Sequence, residues 1–152
     1  MRRFSLVVGV GAVVVLLGVA AAQASGPAQK RVVVTAVQTD VAEVAAGQGR
    51  LGARFLGADD LMTEGRKVGR GVRSCELLAA GDDNSGTFQC LLTLTLQQGT
   101  ITLQLMPTLS ERGFEAVKAA VTGGTGTFRH ARGEALVEEL SPTETRYTID
   151  LR

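Results

Sequence analysis

One histidine, two cysteines, three prolines, one tyrosine and no tryptophan leave this 152-residue chain few of the side chains that usually mark an active site. The lone His130 excludes any site built on two histidines, and two cysteines exclude a four-thiolate zinc centre. Sixteen Lys and Arg against 15 Asp and Glu give a net charge of +1, so nucleic acid has no basic stripe to follow. No Gly-x-Ser-x-Gly elbow is present and His130 has no triad partner in view, which sets hydrolase chemistry aside. The run Gly81-Asp82-Asp83-Asn84-Ser85-Gly86 lacks the spaced ligands and closing glutamate of a calcium loop. Sustained helical periodicity is missing as well. The sequence implies neither a metal nor an organic cofactor.

What is there begins with a leader. Arg2 and Arg3 precede an uncharged run of Val, Leu, Gly and Ala over residues 6–22, followed by the small-x-small pattern Ala22-Gln23-Ala24. A charged start, an apolar stretch and small residues before a cut describe a secretory signal peptide, 1–24, with cleavage between Ala24 and Ser25. The alternative is an uncleaved membrane anchor, for which the run is slightly short. Cleavage leaves one domain, 25–152, with no membrane segment, and predicts a secreted, extracellular protein. In an oxidising compartment Cys75 and Cys90 read as a disulfide.

The mature chain is patterned for strands. Phe88, Cys90, Leu92, Leu94 and Leu96 alternate with Thr and Gln, the period-two signature of a half-buried strand. Gln98-Gly99 reads as the turn into 100–105, a pairing that sets Leu94 against Leu103. Symmetric pairing about the turn formers at 81–86 places Cys75 opposite Cys90 and Arg73 opposite Leu92, close enough to bridge the cysteines. Further strands are expected at 31–39, 52–61, 67–79, 115–122, 134–140 and 145–151. Turn signals separate them at Gly47-Gln48-Gly49, Glu64-Gly65, Gly123–Gly126 and Ser141-Pro142. Eight strands with little helix fit an all-β sandwich or a closed antiparallel barrel, and a barrel of this size holds one small ligand.

Parity then nominates side chains for chemistry. If the leucines face inward, so does Arg73, and a buried guanidinium demands a partner. Arg73 is either the anchor for a carboxylate, phenolate or enolate, or the member of a structural ion pair with Glu134 or Glu138, or a side chain that snorkels to the rim. Pairing across Ser141-Pro142 sets Glu138 against Tyr147. A carboxylate beside a phenol in an apolar cavity is a candidate acid–base pair, and a solvent-facing rim pair is its alternative. Glu111, Arg112, Glu115 and Lys118 read as a solvated face.

Val121-Thr122-Gly123-Gly124-Thr125-Gly126-Thr127-Phe128-Arg129-His130-Ala131-Arg132-Gly133 resembles the signature of plant dirigent proteins, V-x-G-G-T-G-x-F-x-x-A-R-G. Lys67-Val68-Gly69-Arg70 is a weaker match to the same family. No Gly-Lys-Ser/Thr follows the glycines, so a phosphate loop is excluded and the motif reads as a structural turn. Dirigent proteins and allene oxide cyclases share one eight-stranded barrel superfamily. The resemblance implies a barrel that binds a small apolar, phenolic or oxylipin-like molecule and steers its coupling or cyclisation. The alternatives are a true isomerase, cyclase or lyase using Arg73 with Glu138 or Tyr147, and a non-catalytic structural or interaction barrel with a filled core. The resemblance implies a homo-trimer. The chain departs from the family in being short and poor in aromatics. No family motif surrounds Asp59 or Asp60, so no role is carried to them.

Overall fold

The computed structural model describes residues 30–44, 51–81 and 84–152. The expected signal peptide with its Ala24–Ser25 cleavage site, the 47–49 turn and Asp82-Asp83 lie outside the described residues. Nine strands follow in chain order: β1 (Lys30–Val44), β2 (Arg54–Thr63), β3 (Arg66–Ala80), β4 (Gly86–Leu96), β5 (Gly99–Leu105), the two-residue β6 (Thr108–Leu109), β7 (Val117–Gly124), β8 (Gly133–Ser141) and β9 (Glu144–Leu151). The eight long ones run β3-β2-β1-β9-β8-β7-β5-β4, and β4 pairs back onto β3. Every pairing is antiparallel, so the sheet closes into an eight-stranded barrel and leaves no free edge. The short β6 adds a rung beside β4.

The expected β3–β4 register is the observed one: Cys75 faces Cys90, Arg73 faces Leu92 and Gly69 faces Leu96. The two cysteines are bonded, with 4.0 Å between their Cα atoms. Inside, Leu61, Leu94, Ile101, Leu103 and Ile149 are fully buried and form the heart of one apolar cluster.

Two registers differ from expectation. In β4–β5 the turn is Gln97-Gln98, so Leu94 faces Ile101 and Leu92 faces Leu103. A slip of two residues keeps every side chain on its own face, and apolar alternation is therefore blind to it. Backbone bonds decide the matter. Thr127 N–H bonds the Gln98 carbonyl and Thr125 N–H bonds that of Thr100, clamping the glycine loop to this turn.

In β8–β9 the pairing at the turn, Ser141 with Glu144, is the symmetric one. A bulge between Glu139 and Ser141 then shifts the rest by one residue. Val137, not Glu138, faces Tyr147, and Glu138 stands beside Arg146 on the outer wall. A one-residue shift inverts the strand's faces, so Glu139 turns inward in its place.

The barrel has unlike ends. At one, the β4–β5 turn and the 121–133 loop fold over Leu96, Phe128 seals the interior, and Lys30 Nζ lies 4.7 Å from its ring centroid. At the other, the β8–β9 turn and the strap between β5 and β7 surround an opening. The strap is held by β6 and by a bridge between Ser110 and Gly113.

Candidate functional site

A cavity of about 570 Å³ runs from the barrel's middle to this second end. Its wall is apolar where Ala36, Leu92, Leu105, Val137 and the Cys75–Cys90 disulfide face it, and Pro107, Leu109 and Phe114 of the strap narrow its mouth. Against that background a few polar groups converge: Gln38, Asp59, Arg73, Glu139 and Tyr147.

Arg73 points inward, as parity requires. Its partner is neither Glu134 nor Glu138. Nη1 donates to Asp59 Oδ1, and Nη2 donates to Gln38 Oε1 at 2.6 Å. Glu134 instead pairs with Lys118 on the outside at 3.1 Å. Asp59 is the deeper partner, its side chain 4% exposed against 25% for Arg73. Register explains how they meet. Gly57 sits opposite Arg73, and a Cβ there would come within 2.6 Å of the guanidinium carbon, so the missing side chain is the space the guanidinium occupies. With Gly57 in front of it, the arginine lies flat against β2 and reaches Asp59 two residues along the same face.

Tyr147 is 3% exposed and lines the same cavity from β9. Burial pushes its phenol pKa well above the ordinary 10.0, the nearby Asp59 charge raises it further, and Arg73 opposes the rise. The phenol is therefore neutral at physiological pH and keeps a proton it can donate in a hydrogen bond. Glu139 accepts the Phe114 backbone N–H at 3.1 Å, tying the strap to β8. Glu111 and Arg112, read from sequence as a solvated face, stand on the strap's exposed turn and also border the mouth.

The structure thus brings Arg73 and Tyr147 to one cavity and leaves Glu138 out of it. Sequence reading missed Asp59, Gln38 and Glu139. Asp59 shares a face with Phe55, Gly57 and Leu61, and a carboxylate in such a row was the available signal. Gln38 and Glu139 had none, because both stand next to β-bulges. Among the described residues no group of three or more His, Cys, Asp or Glu side chains is arranged to hold a metal.

This geometry suits non-covalent steering. An ion pair anchored by a glutamine and a neutral phenol offers fixed dipoles beside a mainly apolar wall. Groups of this kind are able to orient an oxygen or nitrogen of a bound molecule while an apolar wall restricts the rest of it.

Residues 32–151 match the family described as allene oxide cyclase barrel like domain, and the chain belongs to that family. None of the curated proteins matches the sequence significantly. Solved structures share the fold. A pyocyanin demethylase superposes with a TM-score of 0.69 at 24% identity, over 81% of this chain and 100% of its own. A pterocarpan synthase dirigent protein reaches 0.63 at 19% identity, over 82% and 87%. An exo-specific intermolecular Diels–Alderase reaches 0.59 at 14%, over 82% and 99%. The barrel's structural neighbours therefore include dirigent proteins and cyclisation enzymes.

Proposed function

We propose that this protein is a secreted barrel that binds a small, largely apolar molecule in the cavity at its open end and steers that molecule's cyclisation or coupling. The observation that carries the reading is the cavity itself: about 570 Å³ of mainly apolar space into which Arg73, Asp59, Gln38 and Tyr147 converge. Its size falls within the range of small-molecule sites, and a few convergent polar groups on an apolar wall are their usual make-up. The dirigent and Diels–Alderase neighbours support steering as the kind of work such a barrel does. Tyr147 and the other polar groups of the lining orient the ligand's polar end, and Asp59 and Gln38 hold Arg73 in place. The Cys75–Cys90 bond supports residence outside the reducing cytosol. Assembly into a homo-trimer belongs to the same proposal. The exposed outer row Leu56, Val72 and Leu91 offers apolar surface for contact between copies, and sedimentation velocity reads the mass.

Untargeted mass spectrometry of small molecules that copurify with the mature chain tests the reading. A recurring apolar compound is expected with the native protein and is expected to vanish in Ala36→Phe, which fills the cavity from β1. An identical small-molecule profile for the two proteins contradicts it.

A second reading, an acid–base cyclase or isomerase, is favoured by one observation, the neutral buried phenol of Tyr147. In that case Tyr147→Phe abolishes turnover of the identified ligand while leaving its binding within about threefold; loss of binding alone speaks for steering.

A further inference from the structure

The charges inside the cavity go further than its shape and, given the ligand-binding reading above, indicate the class of molecule it takes. Arg73 is the group that parity nominates as an anion anchor, yet its charge is already answered by the Asp59 carboxylate and its fork is further occupied by Gln38. An entering carboxylate would meet Asp59 as a like charge in a poorly solvated space. Glu139 is in the opposite condition. The β8 bulge turns it inward, and its carboxylate lies over Gly113, where a Cβ would come within 2.6 Å of Oε1. Oε2 accepts the Phe114 N–H. Among the described residues no Lys or Arg pairs with Glu139. Two other charges border the site, Glu111 and Arg112, which stand on the exposed strap turn and are opposite in sign. The five charges of the lining therefore sum to minus one, and Glu139 is the one among them that is both away from the exposed turn and without an ion-pair partner.

We propose that the cavity selects a compact apolar molecule bearing a positively charged nitrogen, with Glu139 as its counter-charge, and disfavours carboxylates of the same shape. A cation entering this site gains a charge-assisted bond to the half-buried Glu139 and meets no uncompensated positive group deeper than the mouth. Glu139 is then the specificity-determining residue.

Three probes with one naphthalene body test this at pH 7 on the mature chain: 2-naphthylmethylammonium, 2-naphthalenemethanol and 2-naphthoate, titrated by fluorescence. The expected order of affinity is ammonium, alcohol, carboxylate, with about a tenfold or larger gap between the first and last. Glu139→Gln keeps an acceptor for the Phe114 N–H and is expected to weaken ammonium binding about tenfold while leaving the alcohol within about twofold. Naphthoate binding as tightly as the ammonium overturns the charge preference and leaves cavity binding intact. So does a folded Glu139→Gln whose probe ratios equal those of the native chain. Should that variant not fold, the native chain's own ratio decides. Failure of all three probes to bind contradicts the ligand-binding reading itself.

Discussion

The sealed end of the barrel and its open end are built by opposite kinds of residue. At the sealed end sits the long glycine motif, the most recognisable stretch of the sequence. Its side chains and amides are spent on the barrel itself: Phe128 buried beneath, Thr125 and Thr127 bonded to the β4–β5 turn, and Arg132 receiving the last amide of the chain, Arg152 N–H. At the open end Gln38, Asp59, Arg73, Glu139 and Tyr147 come from five different strands and form no motif at all. The lesson is physical. A turn that needs special backbone geometry demands particular residues at fixed spacing, whereas a cavity needs only one polar side chain per strand, and such a set is dispersed along the chain.

The comparison is broken most forcefully at the sealed end. Gly126 has φ of +59° and its Hα faces the Gln98 carbonyl, so Gly126→Val adds strain in a left-handed conformation to a clash with backbone. A loss of about 4 kcal/mol or more is expected, enough to leave little folded protein. Thermal melts of this variant check it. A stable Gly126→Val that has lost only ligand binding would make the loop a site after all.

At the open end the expected losses are smaller and separable. Arg73→Met leaves the Asp59 carboxylate buried without its counter-charge, and about 3 kcal/mol of stability goes with it. Adding Asp59→Leu to Arg73→Met removes the orphan, and the double variant is expected to recover most of that loss. Denaturant titrations of the single and double variants read both values. Equal stability in the two would mean that the pair does not carry buried charge.

Comparable in size is the effect of reducing the Cys75–Cys90 bond, which closes a loop of 15 residues in sequence. The chain-entropy view predicts about 3 kcal/mol of lost stability, measurable by urea unfolding with and without reductant.

The smallest effect is a pH dependence. Tyr147 is held neutral in the folded protein, so its folded pKa lies above the unfolded value of 10.0. Stability from this group is complete below about pH 10 and declines as pH rises above it, because the unfolded chain sheds the proton first. Melting temperature measured from pH 8 to pH 11 should fall more steeply for the native chain than for Tyr147→Phe. Parallel curves would place the phenol in contact with bulk water.

How much of this was legible beforehand depended on strand register. The barrel and its eight long strands follow from alternation and turn residues, and the Cys75–Cys90 pairing from symmetry about one loop. Arg73 was legible because the β3–β4 bulge lies beside the turn, between Leu77 and Ala79, and from Leu77 to Gly69 the register is the one that symmetry about the loop gives. Glu138 was nominated because its hairpin turn, taken alone, gives the right pairing; a single extra residue at the bulge then exchanges it for Glu139. Nothing local in the sequence announces that bulge. Asp59 was visible in β2 as a carboxylate in an otherwise apolar row, but its pairing with Arg73 emerges only when β2 and β3 are aligned side by side.

The contrast between the two ends is tested most directly by amide NMR of labelled residues 25–152 titrated with 2-naphthalenemethanol, a neutral probe indifferent to Glu139. Shifts concentrated at Gln38, Arg73, Phe114 and Thr143, with Gly123 through Phe128 unmoved, are the predicted result. Shifts centred on the glycine loop, with the cavity lining silent, would contradict it.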